Sequence, residues 1–257
     1  MKYRIIPPCN ELKGVISHFW EATWDAKSRA PNMVYYIIAN TLTNITFAFD
    51  SANKHSELLF SAIEGHTHLP QQLPVAGFYH LTGVSVHSYA LPFLFNTPSS
   101  DLSNKFLSLT TFLGHEGSVL NEKTALANSI DRRIEILSKY FIALLKEREK
   151  EDWLMTNAIK EIRKYNGYIK VMDMAADFNL SQRQFNRRFK EFSGFNPKMY
   201  ARIARFESII KNYSSLSALT ELSHSNGYYD QAHFNHEFKA FTGFKPKDFW
   251  KLNDKTS

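Results

Sequence analysis

The sequence contains a single cysteine, Cys9, among its 257 residues. One cysteine cannot form an internal disulfide and cannot supply a cysteine-rich zinc site, so a reducing compartment is expected. No apolar run reaches the roughly 18 residues that a membrane-spanning helix needs. The first residues, Met1 to Pro8, also lack the continuous apolar segment of a secretion signal. These absences predict a cytoplasmic protein without a membrane partner.

Motifs of the common enzyme classes are missing as well. The sequence has no glycine-rich phosphate loop, no Gly-x-Ser-x-Gly and no His-Glu-x-x-His. A metal site has to be considered because His66 and His68, two residues apart, would place two imidazoles on one side of a predicted strand. His80 and His87 lie further along the chain. No Asp or Glu completes a ligand pattern with them, so polar or pocket-lining histidines are the simpler interpretation. No catalytic residue, metal or cofactor is predicted.

Positive charge is confined to one part of the chain. Residues 1–152 hold 14 Lys and Arg against 15 Asp and Glu, whereas residues 153–257 hold 17 against 10. The whole net charge of +6 therefore comes from the C-terminal part. A basic domain joined to a neutral one suggests a polyanionic partner for the basic domain. Charge alone leaves a merely solvated basic surface equally open.

The first hundred residues show the pattern of β-strands. Apolar and polar residues alternate in Asn44–Phe49 and in Val84–Tyr89, and turn-forming residues separate such runs. Residues 101–150 change to a helical pattern. Their apolar stripe recurs at three- and four-residue steps and consists of Ile130, Ile134, Leu137, Phe141 and Leu144. We expect this stripe to be buried against the N-terminal domain or against a second subunit.

The basic part of the chain repeats itself at an offset of 49 residues. Residues Phe185–Lys198 and Phe234–Lys247 are identical at nine of 14 positions, including four phenylalanines, a glycine and a proline. So many identities at one offset are hard to obtain by chance. The C-terminal part therefore contains two copies of one supersecondary unit.

The first copy has the features of a helix-turn-helix unit. A short helix is predicted over Val171–Phe178, and Asn179 ends it because asparagine tolerates a left-handed backbone. Leu180 fills the turn, and Ser181 caps a second helix over Gln182–Phe192. A small residue in the first helix, a short turn and a second helix make the DNA-binding form of this unit.

The second helix of such a unit enters the major groove of DNA. Its outward side would carry Arg183, Asn186 and Arg187, at steps of three and four residues. Arginine can form paired hydrogen bonds with guanine, and asparagine with adenine. The alternative is a helical packing unit with charged surface residues, and two copies in a basic domain favour DNA binding over it.

The second copy follows the same plan with a longer turn. Its first helix is predicted over Ala218–Ser225, its turn at Asn226-Gly227, and Tyr228 takes the place in the turn that a leucine has in the first copy. Asp230 caps the second helix, predicted over Gln231–Phe241.

These two segments resemble the tandem helix-turn-helix domain of the AraC/XylS regulators over about residues 153–251. The resemblance rests in the first copy on Met174-Ala175, Leu180-Ser181, Arg187, Phe189-Lys190, Gly194, Pro197, Tyr200 and Arg205. In the second copy it rests on Gly227-Tyr228, Asp230, His233-Phe234, Phe238-Lys239, Gly243, Pro246 and Phe249-Trp250. It implies a bacterial transcription factor whose two recognition helices enter adjacent major-groove segments, and it implies RNA polymerase as a partner. The helix over Pro197–Asn212 would hold the recognition helices apart.

The N-terminal half resembles the cupin-like sensor domain that many members of this family carry. The parallels are Pro7-Pro8, His18-Phe19-Trp20, Trp24 and Gly83-Val84. The predicted fold class is therefore α+β, with a β-rich, cupin-like sensor or dimerisation domain over residues 1–104. A helical connector over residues 105–152 packs on it, and residues 153–257 form an all-α domain with two helix-turn-helix units.

The predicted functional residues form two groups. The DNA contacts are Arg183, Asn186 and Arg187, then Gln182, Gln231, Asn235 and His236, and for phosphates Lys190, Lys239 and Arg202. An effector pocket, if the N-terminal half has one, should be apolar and aromatic, with Trp20, Trp24, Tyr36, Phe47, Phe49, Phe78 and Tyr89 as candidates. Each of these could equally belong to an ordinary core.

The sequence thus predicts a DNA-binding transcriptional regulator that responds to a small-molecule effector and forms a homodimer. Two alternatives remain. A DNA-modifying or repair enzyme could carry the same DNA-binding domain, but such methyltransferases need several cysteines, and Cys9 is alone. An interaction module without DNA binding would have no need of Arg183 and Arg187 on one side of a helix.

Overall fold

The structure is a computed structural model that describes residues 2–25, 34–50, 57–74, 78–146, 152–171, 173–212 and 230–254. The chain divides into two compact units. The first comprises Met1–Tyr35, Leu42–His66 and Pro74–Lys150, and the second comprises Tyr36–Thr41, Thr67–Leu73 and Glu151–Ser257. The predicted domain boundaries at residues 104 and 152 stay predictions.

The fold is α+β, as the sequence predicts, with β-strands in the N-terminal half and helices in the described residues of the C-terminal part. The strands are β1 Lys2–Ile6, β2 Ile16–Asp25, β3 Val34–Ile37, β4 Leu42–Asp50, β5 Leu58–Glu64, β6 Gln71–Pro74, β7 Phe78–His87 and β8 Phe106–Ser108. Six of them form one sheet in the order β1-β2-β7-β4-β5-β8, and β3 pairs with β6. The strands predicted at residues 44–49 and 84–89 are confirmed as β4 and β7, although Ser88 and Tyr89 already lie in a 3₁₀ turn.

The two faces of the six-stranded sheet differ sharply in composition. Side chains that are paired across neighbouring strands lie on the same face. One face, here called the helix face, carries the buried residues Phe19, Ile45, Phe47, Ile63 and Val84. The other, here called the polar face, carries a continuous row across five strands that consists of His18, Ser85, Asn44, Glu64 and Phe106. The helix face is therefore the core side of the sheet.

The described residues of the first unit also form α-helices after β7. They are α1 Leu91–Phe95, α2 Leu109–Leu113, α3 His115–Ala125 and α4 Ile130–Lys146. The predicted stripe lies on α4, where Leu137, Phe141 and Leu144 are buried and Ile130 and Ile134 are half-buried. Helix α4 also places the guanidinium of Arg133 3.5 Å from the ring centroid of Phe49 on the helix face.

The stripe of α4 is thus buried within the unit itself. The short strand β8 was not expected within the helical stretch, and it forms because Phe106–Ser108 pairs with the edge of β5. Three residues are too few for their periodicity to reveal a strand.

The C-terminal helices pack around phenylalanine side chains. They are α5 Trp153–Lys164, α6 Met174–Asp177, α7 Gln182–Ser193, α8 Pro197–Asn212, α9 Gln231–Thr242 and α10 Pro246–Asp254. Helix α6 is shorter than the predicted Val171–Phe178, whereas α8 has the predicted bounds. Its 16 residues correspond to a rise of roughly 24 Å.

Candidate functional site

Helix α7 is fixed at both ends by the residues that the sequence indicates. The backbone N–H of Gln184 donates to Ser181 Oγ over 3.3 Å, and Gln184 Oε1 accepts from the Ser181 backbone N–H over 3.0 Å. This reciprocal pair is a capping box, which satisfies N–H groups that a helix start leaves without partners. Asn179 has φ +53° in the preceding turn, and Gly194 has φ +81° at the C-terminal end. The predicted turn and cap are confirmed.

The two sides of α7 serve different purposes. Phe185 and Phe189 are fully buried, and Phe189 packs edge-on against Tyr200 of α8 with centroids 5.6 Å apart. The predicted DNA contacts of this helix lie on the other side, and they are Gln182, Arg183, Asn186, Arg187 and Lys190. Gln182 is half-buried and the other four are exposed. This side of α7 is therefore available to a partner.

Two adjacent arginines of α7 have opposite surroundings. Arg188 Nη2 lies 2.6 Å from Asp152 Oδ2, and Asp152 also caps α5, so Arg188 joins α7 to α5. Arg187 makes no side-chain hydrogen bond or ion pair with any residue that the structure describes. Its guanidinium keeps all five donors for a ligand.

Loss of the α7 cap should destabilise the recognition helix. Ser181→Ala removes the hydroxyl that accepts from the Gln184 N–H, which should lower the free energy of unfolding of the C-terminal unit by about 1 kcal/mol. Ser181→Asp keeps an acceptor and should retain most of that stability. Chemical denaturation followed by circular dichroism measures both. Equal losses for the two variants would contradict a capping role for Ser181.

Helix α9 repeats this construction. Asp230 Oδ1 accepts from the His233 backbone N–H over 2.7 Å, and Gly243 ends the helix with φ +82°. Phe234 and Phe238 are buried, as their counterparts are in α7. The predicted contacts of α9 are all exposed, namely Gln231, Asn235, His236 and Lys239. The predicted first helix and turn of this copy, Ala218 to Tyr228, lie outside the described residues.

Helix α8 is joined to α9 by an ion pair. Arg202 Nε donates to Glu237 Oε2 over 2.6 Å, and Glu237 is only 2% exposed. The guanidinium of Arg202 also lies 5.4 Å from the ring centroid of Phe241. The predicted phosphate contact by Arg202 stays a prediction, and the ion pair gives this side chain a structural role within the unit.

The polar face of the N-terminal sheet contains a carboxyl group in an apolar setting. Burial raises the pKa of Glu64 to about 7. The same carboxylate raises the pKa of Tyr35, after the larger effect of burial, so the two groups lie close together. Tyr35 nevertheless keeps 39% of its surface accessible.

A hydrogen-bond chain runs along the polar row beside this carboxyl group. Ser85 Oγ donates to Asn44 Oδ1 over 2.7 Å and lies 3.3 Å from His18 Nε2. Because Ser85 has only one proton to donate, Nε2 of His18 must be the donor in the second contact. Burial lowers the pKa of His18, because it disfavours the charged form of this imidazole.

The buried carboxyl group makes the stability of the first unit depend on pH. Folding raises the pKa of Glu64 from 4.5 to about 7, so the native state retains a proton that the unfolded chain releases between these values. The resulting loss of stability is absent below pH 4.5 and complete above pH 7. We expect Glu64→Gln to match the wild type near pH 4.5 and to exceed it by about 1–2 kcal/mol at pH 8. Urea denaturation at both pH values checks this, and a difference independent of pH would contradict it.

The five predicted effector residues whose side chains the structure describes do not come together. Phe47 and Phe49 are buried on the helix face, and the buried Tyr89 donates to the Gly14 carbonyl over 2.9 Å. Trp20 lies on the polar face, where its ring covers Gly83 so closely that a Cβ there would lie 2.3 Å from it. Tyr36 packs edge-on against Phe244 with centroids 4.9 Å apart. The side chains of Trp24 and Phe78 are outside what the structure describes.

Sequence reasoning missed Glu64, Tyr35 and Tyr3 as candidates for this face. Glu64 is the last residue of the apolar strand Leu58–Glu64. A charged residue that continues the pattern of such a strand is the signal that could have identified Glu64 as a candidate. In the described parts of the chain no helix is long and apolar enough to span a membrane. The described residues also contain no group of three or more His, Cys, Asp or Glu side chains that could hold a metal ion.

Two family models match separate parts of the chain. Residues 174–251 match a family described as a helix-turn-helix domain, and residues 4–108 match one described as a domain of unknown function, DUF6597. No curated protein matches the chain in sequence.

Among solved structures, ToxT from Vibrio cholerae O395 is 12% identical with a TM-score of 0.46, covering 90% of this chain and 96% of its own. ToxT bound to an unsaturated fatty acid, from Vibrio cholerae strain SCE256, is 11% identical with a TM-score of 0.48, covering 90% and 94%. The family match itself covers α6 to α10, in which both recognition helices lie. The C-terminal region of this chain thus contains an AraC-type helix-turn-helix DNA-binding domain.

Proposed function

We propose that this chain is a transcriptional regulator that recognises its operator through α7 and α9. The observation that carries the proposal is the exposed side of α7, on which Arg183, Asn186 and Arg187 stand opposite the buried phenylalanines. Side chains on such a side reach base edges when the helix lies in the major groove. Arg187 and Arg183 offer paired donors to guanine, and Asn186 offers a donor and an acceptor to adenine.

Helix α9 presents a weaker set of groups at the corresponding positions. Ala232 stands where α7 has Arg183, and His236 stands where it has Arg187. Asn235 retains the amide of Asn186. Helix α7 therefore dominates base recognition, while Lys190 and Lys239, one near the end of each recognition helix, supply charge for phosphates.

DNA affinity should fall steeply with salt. Each phosphate that a lysine or arginine neutralises releases counterions. A plot of the logarithm of the affinity against the logarithm of the salt concentration should therefore have a slope of about −0.9 per phosphate contact. A gel-shift series with DNA from upstream of the chain's own gene, run beside random DNA, measures this slope. A flat response would contradict DNA binding and would favour an interaction module or an enzyme instead.

The N-terminal unit serves as the sensor in this proposal. Its polar face combines a buried carboxyl group, a hydrogen-bonded polar row and the accessible ring of Tyr35, which are the groups that bind and orient a small molecule. An effector bound there would change the affinity of the regulator for its operator. The homodimer and the contact with RNA polymerase stay predictions.

A further inference from the structure

Two segments of the N-terminal half belong to the second unit. They are Tyr36–Thr41 and Thr67–Leu73, here called the inserted segments. The Asn40 backbone N–H donates to the Thr67 carbonyl over 2.8 Å and joins them, and strand β3 pairs with β6. The second unit therefore includes residues that the predicted boundary at residue 104 assigns to the sensor domain.

The turn that follows each recognition helix has the same structure in both copies of the repeat. Ser193 Oγ donates to the Phe195 carbonyl over 2.8 Å at the end of α7. Thr242 Oγ1 donates to the Phe244 carbonyl over 3.0 Å at the end of α9. The offset between Phe195 and Phe244 is the 49 residues of the repeat. The two phenylalanines are therefore equivalent points at the ends of the two recognition helices.

The inserted segments contact both of these phenylalanines. His68 packs edge-on against Phe195 with ring centroids 5.8 Å apart. Tyr36 packs edge-on against Phe244 with centroids 4.9 Å apart. Both separations lie in the favourable range for pairs of rings in this arrangement. The inserted segments thus connect the end of α7 with the end of α9.

Thr41 anchors the first inserted segment between α5 and α8. Its backbone N–H donates to Glu207 Oε1 over 2.7 Å, and its hydroxyl donates to the same carboxylate over 2.9 Å. Arg163 Nη1 of α5 donates to this hydroxyl over 2.8 Å. Thr41 is 1% exposed, so these charge-assisted hydrogen bonds are shielded from water. The Ala39 N–H also donates to the Phe241 carbonyl of α9 over 2.9 Å.

We infer that the inserted segments are positioning elements for DNA recognition, which hold the ends of α7 and α9 at a fixed separation. Helix α8 supplies one connection, through Tyr200 to α7 and through Arg202 to α9. The inserted segments supply a second connection at a different point of each helix, and two connections prevent the rotation that one allows. This inference rests on the proposed function and adds Tyr36, Thr41 and His68 to the residues on which operator preference depends.

A fixed separation makes DNA affinity depend on the spacing between the two parts of the operator. One base pair inserted between these parts turns one of them relative to the other by roughly a tenth of a helical turn. Recognition helices that are held in place lose base contacts in one part, whereas loosely held helices can follow the DNA. A residue that only stabilises the fold lowers the affinity for every spacing alike. The penalty for the insertion is therefore the measure of a positioning role.

The test uses the full chain and an operator that the wild type selects from random-sequence DNA. Footprinting locates the two parts of this operator. Fluorescence anisotropy then measures binding to the operator, to the operator with one base pair inserted between its parts, and to random DNA. The wild type should bind the inserted operator at least about tenfold more weakly, because each mispaired base contact costs roughly that factor or more.

Two variants remove the proposed connection at different points. Combining Tyr36→Ala with His68→Ala removes both ring contacts, and Thr41→Val removes the hydroxyl of the anchor. Each should reduce the insertion penalty to about threefold or less and keep the affinity for random DNA within about twofold of the wild type. Thr41→Ser retains the hydroxyl and should behave as the wild type. Thr124→Val is the matched control, because Thr124 is a buried, hydrogen-bonded threonine of α3 in the first unit, and it should also leave the penalty unchanged.

The outcomes separate this inference from the proposed function. A wild type that is indifferent to the insertion would overturn the inference, and so would a penalty that both sets of variants leave intact. A parallel loss of affinity for all three DNAs would show that the inserted segments only stabilise the fold, and it would overturn the inference as well. A wild type that prefers no sequence over random DNA contradicts the proposed function instead, whatever the variants do.

Discussion

Arg187→Ala should reduce specific operator affinity by roughly ten- to a hundredfold, because a paired contact between arginine and guanine discriminates by about 1–3 kcal/mol. His236→Ala, the same change at the corresponding position of α9, should cost much less near neutral pH. A histidine ring offers at most two N–H donors, whereas the arginine guanidinium presents a planar fork of five. Fluorescence anisotropy on one operator and on random DNA measures both variants.

Two controls make this comparison decisive. Arg132→Ala removes an exposed arginine from the N-terminal unit, so it should leave DNA affinity unchanged. Arg187→Lys keeps the positive charge but loses the paired donors, so binding to random DNA should persist while the preference for the operator falls. Equal losses of specificity for Arg187→Ala and His236→Ala would show that the two recognition helices contribute alike. That result would favour recognition of DNA shape over base contacts.

Arg202→Met should lower the free energy of unfolding of the C-terminal unit by about 3 kcal/mol. The substitution keeps a long side chain but removes the guanidinium that donates to Glu237 over 2.6 Å, and Glu237 is 2% exposed. Breaking a buried ion pair typically costs about 3–5 kcal/mol, because one charge remains buried without its partner. We expect the lower end of this range because the Arg202 side chain is 35% exposed.

Hydrogen exchange of the α8 and α9 amides in the full chain reports this loss where it arises. The matched control is Arg132→Met, whose partner Glu135 is at the same 2.6 Å distance but on the exposed surface of α4. That variant should show no measurable loss. If Arg202→Met were as stable as Arg132→Met, the ion pair between α8 and α9 would contribute nothing to the fold.

The sequence predicts the C-terminal helices well because the signals at their ends are local. Ser181, Gly194 and Pro197 each act within a few residues, and α7 and α8 begin at the residues these signals indicate. Helix α6 is shorter than predicted because an apolar pattern does not show where the last hydrogen bond of a helix forms.

The polar face could not be predicted in the same way. His18 and Glu64 belong to one row only because β2, β7, β4 and β5 pair in a particular register. Because successive side chains in a strand point to opposite faces, Phe47 and Phe49 must share one face of the sheet. The sequence does not decide whether the helices cover that face or the other one. The predicted pocket residues were therefore divided between the two faces, and the acid on the polar face went unnoticed.

The separation of the two sides of α7 has a consequence for how this regulator evolves. Phe185 and Phe189 maintain the fold from one side, while Arg183, Asn186 and Arg187 stand on the other without contributing to the core. A substitution among the latter three alters which bases are preferred and leaves folding almost untouched. Operator preference can consequently change by single substitutions while the domain keeps its fold.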